Sequence, residues 1–598
     1  MLSTLPLTLT ALRDAYASGI SPVDVIDQVF TRIDVINDPG IFIHLCTRAD
    51  LRAQAAALGA FDPTLPLWGI PFAVKDNIDV EGIPTTAACP AYAYTPDADA
   101  FVVAKLRAAG ALMIGKTNLD QFATGLVGVR TPYGAPLNSV DPLIVPGGSS
   151  GGSAVIVGHG AVTFALGTDT AGSGRVPAAL NNIVGLKPTL GALSATGVVP
   201  ACRTLDTISI FALTVDDAYA AFEVAHGFDA ADAYSKQLSL GPLEAAPTSL
   251  RIGVPDAASI EFFGDDVQRE AFARDIALLA KRGAQIEYID FSPLYAIARM
   301  LYQGAWVAER YTVIQDLLAH DAQAVYPVTR EIISLAEGMS AADAFRGIYR
   351  LADLKRAAEP ILAKLDLLCV PTIPTFYSVA DLQADPITPN SNFGTYTNFV
   401  NLLDMCGIAV PTAPRSDGRP GSITFLATAG KDDLVASVAH GFEDDCTRNM
   451  GGTNHPLPQP TPLRATQPNT IELAVCGAHM SDLPLNWQLT DRGGKFVRKA
   501  QTAPHYQFYA LGGGPPARPG LVRSTAPQAS FVALEIWTLP KSELGGFVEG
   551  IPAPLCIGSI ELSDGAWIKG FLCEASGVAG ATEISDLGDW RRYLKHSG

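Results

Sequence analysis

The chain has 598 residues, of which 48% are hydrophobic and 17% charged, and its formal net charge is −18. This length exceeds a single hydrophobic core and predicts two or more domains, and the composition is that of a globular chain rather than a disordered one. Acidic residues outnumber basic ones 60 to 42, which argues against nucleic acid as a partner, and no run of about 18 uncharged apolar residues offers a membrane span.

Residues 7–36 read as two amphipathic helices. Leu9, Leu12, Ala15 and Tyr16 share one face. After Ser21-Pro22, the residues Val25, Ile26, Val29, Phe30, Ile33 and Ile36 share another. Such faces cover either the chain's own core or a second copy. The N-terminal stretch lacks the basic start and continuous apolar core of a signal peptide. The nine cysteines include no CxxC pair, and their odd number supports neither a disulfide framework nor a zinc site. A cytoplasmic protein with no bound metal is expected.

From 70 to 215, short apolar runs (LWGIPFAVKD, ALMIGKTN, GLKPT) alternate with glycine-rich turns and helical segments. This rhythm predicts an α/β domain with a central mixed β-sheet flanked by helices. Two glycine-flanked serine sites lie within 146–178, one at Ser149-Ser150 and the other at Ser173, and upstream Lys75 sits in the apolar frame PFAVKDN. A serine hydroxyl becomes a nucleophile only when a neighbouring base takes its proton. Lysine can be that base only where its surroundings lower its pKa, because an ammonium has no lone pair. Taken singly, these features read as a flexible loop, a snorkelling lysine and a plain turn. Asp169 and Arg175, flanking Ser173, read best as an ion pair that holds the loop.

The order K…GGSSGGS…GTDTAGSGR, with Ser173 24 positions after Ser149, resembles the amidase signature family. The resemblance implies a cofactor-free triad: Ser173 as nucleophile, Ser149 as the bridging serine on a cis peptide bond, and Lys75 as base. It also implies an oxyanion hole built from the backbone of Thr170, Ala171 and Gly172. Many members carry Gly-Gly before the nucleophile, where this chain has Ala171-Gly172. That AGSG variant, the segment FGTYTNFVNLLD at 393–404 and GAHMSDLPLN at 477–486 resemble the allophanate hydrolase branch of the family. The branch implies allophanate as substrate, a separate enzyme upstream that makes it, and a homodimer with residues 1–60 as a candidate interface.

Strand-like runs at 250–255 and 366–374 bracket an insertion suited to substrate selection. Within it, 301–310 reads as one helix that places Tyr302 and Arg310 on a common face. The resemblance makes this pair carboxylate binders, a task suited to a guanidinium fork. The alternative is a solvated pairing of Arg310 with Glu309 or Asp316. Gly125 is a further candidate for a backbone contact to substrate.

Prolines at 456, 458, 460, 462 and 468 mark 450–469 as a semi-rigid linker between an amidase domain at 1–449 and a C-terminal domain at 470–598. The latter alternates short strands with Gly/Pro turns and reads as a small β-rich α+β domain, similar to the allophanate hydrolase C-terminal domain and to gamma-glutamyl cyclotransferases. The resemblance implies that it removes CO2 from N-carboxycarbamate, the product of the first step. His479, after the strand IELAVCGA, is either its proton donor or a histidine capping a turn. Glu535 is a candidate inward-pointing carboxylate. The alternative function is a general small-amide amidase whose C-terminal domain is an interaction module without chemistry.

Overall fold

Strands covered on both faces carry no polar alternation, and the apolar runs of the first half of this chain form such strands. The computed structural model describes residues 2–247, 249–458, 463, 470–524 and 531–597. It divides into two units, Met1–Ala465 and Thr466–Gly598.

The first unit is built on strands β1 (Phe42–Leu45), β2 (Pro71–Lys75), β3 (Leu112–Thr117), β4 (Phe164–Asp169), β5 (Val184–Lys187), β6 (Thr207–Ala212), β7 (Arg251–Pro255), β8 (Gln285–Ile289), β9 (Leu367–Pro371), β10 (Met405–Thr412) and β11 (Gly421–Thr428). They form one mixed sheet in the order β1-β3-β2-β4-β6-β5-β10-β11-β9-β7-β8. β2 is parallel to both β3 and β4, with Val74 opposite Leu166. The C-terminal ends of β2 and β4 therefore lie side by side, carrying Lys75 on one and Thr168 and Asp169 on the other. In open α/β sheets this edge is where ligand chemistry gathers. The helix Gly151–Gly158, buried along its whole length, starts directly after Ser149-Ser150.

The N-terminal region forms the helices Leu9–Ala17 and Pro22–Ile36, with the Ser21 side chain accepting from the Val23 amide at the start of the second. Leu12, Tyr16, Val25, Ile26, Val29 and Phe30 are buried in the core of the same unit. Those faces are thus used within the chain. The insertion adds β8 to the two expected strands, and its 301–310 segment is not one helix. Ser292–Gln303 ends at Gly304, whose backbone is extended (φ −137°, ψ −159°), and Ala305–Asp321 begins beyond it. A side chain at Gly304 would press to 2.7 Å from the Met300 carbonyl, so glycine marks the break. Tyr302 and Arg310 consequently sit on successive helices.

Of the proline-rich stretch, residues 459–462 and 464–469 lie outside the described residues. Its first part is fastened to the first unit: Met450 is buried, the Gly452 amide donates to the Gly158 carbonyl (2.8 Å), and Asn182 donates to the carbonyls of Asn449 and Gly451 (both 2.8 Å).

The second unit has strands β12 (Thr470–Val475), β13 (Lys495–Gln501), β14 (Tyr506–Leu511), β15 (Arg518–Arg523), β16 (Ala533–Pro540), β17 (Leu555–Glu561), β18 (Trp567–Cys573) and β19 (Thr582–Glu583). They make a five-stranded sheet, β13-β16-β12-β18-β17, and a three-stranded one, β15-β14-β19. Its own core includes Leu473, Val475, Phe508, Ile536 and Trp590. Among the described residues no helix is long and apolar enough to cross a membrane.

Phe164 on β4 stacks on Phe72 of β2 with ring centroids 5.2 Å apart, and both side chains are buried. Phe164→Ala is expected to destabilise the first unit by about 3–5 kcal/mol, the range for emptying a buried phenylalanine site. Equilibrium denaturant unfolding reads this, and an unshifted midpoint would show that the stack does not hold these strands together.

Candidate active site

The edge where β2 and β4 end is closed to solvent. Lys75 is 0% exposed, and its Nζ lies 2.8 Å from Ser149 Oγ and 2.7 Å from Thr168 Oγ1. Burial pushes the amine down to about 7, against the opposing pull of the Asp120, Asp206 and Asp169 carboxylates. Among the described residues no ion pair meets Lys75, so a large neutral fraction is present near neutral pH. The Gly148–Ser149 peptide bond is cis.

Asp120 organises the facing loop. Its amide donates to the Ser149 carbonyl (3.0 Å), while its carboxylate accepts from the amides of Val127 (3.2 Å), Gly128 (2.9 Å) and Arg130 (2.9 Å). A side chain at Gly148 would collide with that carboxylate. The GGSSGG segment is therefore a packed wall of the site. Ser173 is 2% exposed, and its Oγ donates at 3.5 Å to the Gly125 carbonyl in the loop that Asp120 shapes. Gly125 thus faces the nucleophile position with its backbone.

The loop 169–175 is held from several sides. Arg175 makes a bidentate pair with Asp169 (Nε 2.9 Å, Nη2 3.0 Å), both fully buried. Burial alone would raise the Asp169 carboxyl, but the guanidinium outweighs it and holds the group below the usual range. Asn401 donates to the Asp169 carbonyl (2.8 Å) and the Leu205 carbonyl (2.9 Å), and Arg175 donates to the Thr397 carbonyl (3.2 Å). The segment 393–404 is a buttress for this loop. Gly172 has φ 129°, and a Cβ there would lie 2.5 Å from Thr397 Oγ1. One expectation needs correction: the Gly172 amide is already given to Asp169 Oδ1 (2.9 Å). Glycine contributes conformation here, while the amides of Ala171 and Ser173 carry no hydrogen bond among the described residues. Thr170 donates its hydroxyl to Asp206, a carboxyl that burial pushes up to about 6.

Arg310 and Tyr302 meet despite the helix break, with the guanidinium carbon 5.3 Å from the tyrosine ring centroid. Arg310 is 1% exposed, and its Nη1 donates to Thr124 Oγ1 at 3.2 Å. Its Nε and Nη2, and the Tyr302 hydroxyl, are buried without a partner. Glu309 is occupied elsewhere, accepting from the amide (2.8 Å) and hydroxyl (2.7 Å) of Thr204. A buried guanidinium is costly without an acceptor, so this one has donor capacity left for an anion. Adjacent residues contact the two side chains: the Thr124 hydroxyl accepts from Arg310, and the Gly125 carbonyl accepts from Ser173.

In the second unit, His479 stacks on Phe571 (centroids 4.8 Å, planes 20° apart), and its Nε2 lies 2.9 Å from Gln488 Oε1. It lines a cavity of about 330 Å³ together with Gly477, Ala478, Gln488, Arg518 and Phe571. Burial holds its pKa below the ordinary value. Glu535 points inward as expected but lies outside that lining. Its carboxylate accepts from the Ser481 amide (2.7 Å) and hydroxyl (2.9 Å), Trp537 Nε1 (3.2 Å) and Arg591 Nη2 (2.8 Å). Those donors hold it below the usual carboxylate range despite burial. Its lone pairs are spent on structure, so it is removed from the catalytic candidates.

Asp120, Thr124, Asp206 and Asn401 escaped the sequence reading. Thr124 and Asn401 work through partners distant along the chain, Asp120 and Asp206 largely through nearby loop amides. The local signals were an aspartate between a strand and a glycine-rich loop at Asp120 and the 393–404 segment that contains Asn401. Among the described residues no cluster of His, Cys, Asp or Glu could hold a metal ion.

A mixed sheet with a buried lysine–serine contact at its C-terminal edge defines a hydrolase-like site, and residues 24–436 match the family model described as Amidase. The chain belongs to the amidase family. Residues 471–595 match the model described as Allophanate hydrolase C-terminal domain. The chain is 42% identical over 574 residues to the urea amidolyase of Lachancea kluyveri, covering 93% of this chain and 31% of that protein. It is 43% identical over 571 residues to the urea amidolyase of Saccharomyces cerevisiae, with the same coverage of 93% and 31%. It thus spans about a third of the length of the urea amidolyases it matches. The allophanate hydrolase structure of Kluyveromyces lactis superimposes with a TM-score of 0.76 at 40% identity, over 99% of both chains.

Because Gly172 combines a left-handed φ with a tight approach to Thr397, Gly172→Ala is expected to keep the fold and lower amidase turnover by about 100-fold, the scale of losing one oxyanion donor's alignment. Circular dichroism alongside kcat decides this. Wild-type kcat would show that the loop does not need this conformation.

Proposed function

We propose that this chain hydrolyses allophanate, with Ser173 as nucleophile, Ser149 as proton bridge and Lys75 as base. The observation that carries the substrate choice is the buried, half-unpartnered guanidinium of Arg310, one loop away from Ser173. Allophanate is a short molecule with a carboxamide at one end and a carboxylate at the other. Arg310 and Tyr302 receive the carboxylate, which places the carboxamide at Ser173 across Gly125.

Neutral Lys75 takes the proton of Ser149 as Ser149 takes that of Ser173, and Ser173 Oγ attacks the carboxamide carbon. The amides of Ala171 and Ser173 receive the charge that develops on oxygen. The C–N bond breaks, and the amine leaves as ammonia with the proton returned through Ser149. A water deprotonated by the same relay then cleaves the acyl-serine, releasing N-carboxycarbamate. The second unit removes CO2 from this product, with His479 as proton donor, and a separate upstream activity supplies allophanate. The nine cysteines are all free thiols, which suits a reducing cytoplasm. The reading includes a homodimer. The apolar faces of its N-terminal helices are buried within the chain, so the contact would use another surface. Light scattering is expected to give twice the chain mass of 62.9 kDa; the single-chain mass would remove the dimer.

The test is ammonia release from fresh allophanate, with Ser173→Ala as the blank for spontaneous breakdown. Release by the wild type alone is expected. Activity confined to other small amides would discard the substrate while keeping the amidase. Arg310→Ala is expected to weaken allophanate use by about 100-fold, the consequence of stripping one partner from a buried charge pair, with propionamide hydrolysis unchanged. Equal losses on both substrates would refute the recognition role.

Turnover should also depend on pH through Lys75. The amine is active when neutral, so the rate should rise as pH passes about 7 and level off above it. A profile flat from acid to alkaline pH would contradict a lysine base.

A further inference from the structure

The second unit contains a cation that its own fold does not use. Arg498, Arg523 and Arg591 each hold a carboxylate, those of Asp564, Glu561 and Glu535 respectively. The guanidinium of Arg518, the first residue of β15, has no hydrogen-bond or ion-pair partner among the described residues. It is half-buried and forms part of the wall of the 330 Å³ cavity that also contains His479. No acidic side chain of the described residues lines that cavity. Its polar lining consists of Arg518, Gln488 and His479, and the rest is mainly apolar, with Leu485, Pro519, Ile551, Pro552, Leu555 and Phe571, the last stacked on the His479 ring. The arginine lies close enough that its charge lowers the basicity of His479.

A cavity with one guanidinium, one imidazole and an otherwise apolar lining selects a small anion. The fork of arginine matches a carboxylate in two parallel hydrogen bonds, which fixes the orientation of whatever else the ligand carries. A second carboxylate on the same ligand would then lie against the apolar wall, where an anion is poorly solvated and conversion to neutral CO2 is favoured.

We propose that Arg518 anchors one carboxylate of a small dicarboxylate, N-carboxycarbamate, and so aims the other at the apolar wall, from which it leaves as CO2. This rests on the reading above that the first unit makes this dianion and the second consumes it. In the step, the bond between nitrogen and the wall-facing carboxylate carbon breaks, and its electron pair stays on nitrogen. That nitrogen takes a proton from His479, whose protonated form the incoming dianion stabilises against burial and the Arg518 charge, and water reprotonates the ring. CO2 departs, and the carbamate anion remains paired with Arg518 until release. Arg518 is thus the specificity-determining residue of the second site, and the charge it supplies is not part of the amidase machinery.

The experiment follows carbon-13-labelled allophanate by NMR with full-length protein. Wild type should show no build-up of N-carboxycarbamate. Arg518→Gln should release the first ammonia at the wild-type rate while the dicarboxylate signal accumulates at least tenfold above wild type, and Arg518→Lys should restore part of the second step. If His479→Gln accumulates the intermediate and Arg518→Gln does not, the anchoring role is wrong while the second-site reading stands. If neither variant accumulates it, the decarboxylation reading fails together with the anchor. Absence of first-step ammonia from wild type would instead overturn the amidase reading itself. Circular dichroism of each variant separates a lost anchor from a lost fold.

Discussion

The first unit depends on keeping one amine dry. A lysine in water is a cation and no base, so the proposed role of Lys75 depends on its burial with only hydroxyl partners close by. Ser149 and Thr168 supply those partners without adding charge. The three carboxylates that reach it electrostatically, Asp120, Asp206 and Asp169, each have their own donors, and none forms an ion pair with the lysine. Desolvation therefore wins, and the amine titrates near neutrality. The same requirement explains the fully buried strands on either side and the buried helix that follows the serine pair: a wet edge would return the lysine to its ordinary state.

Around this dry edge, the parts of the chain divide the work of positioning. Asp120 shapes the loop that presents Gly125, the segment 393–404 props the nucleophile loop through Thr397 and Asn401, and the Asp169–Arg175 pair locks that loop from inside. The insertion contributes the proposed recognising end. Its helix break at Gly304 lets Tyr302 and Arg310 approach each other from two axes, so the guanidinium rests on the ring while two of its nitrogens remain open.

The second unit repeats the principle in reverse. There burial and a nearby arginine hold the His479 imidazole below its ordinary basicity, in a cavity whose lining is otherwise mainly apolar. In both units, burial lowers the basicity of one nitrogen base, and one arginine keeps hydrogen-bonding capacity unused.

Much of this was determined by the sequence alone. The short apolar runs gave away buried strands, the serine and lysine positions were legible from their order and spacing, and Glu535 stood out as an inward-pointing candidate within an apolar run. Periodicity also suggested a single helix through Tyr302 and Arg310; it could not register that an extended Gly304 would break the helix, because the steric reason lies in the carbonyl of Met300. Tertiary structure alone decided which polar groups are already spent. Glu535 meets Ser481 and Arg591, 54 and 56 residues away, and Gly172 gives its amide to Asp169. Arg310 and Arg518, in contrast, are left with capacity unused. A hydrogen bond depends on distance and direction in space, and spacing along the chain predicts these only within a helix or strand. Which donors and acceptors remain free to act on a substrate is therefore settled only when distant segments pack together.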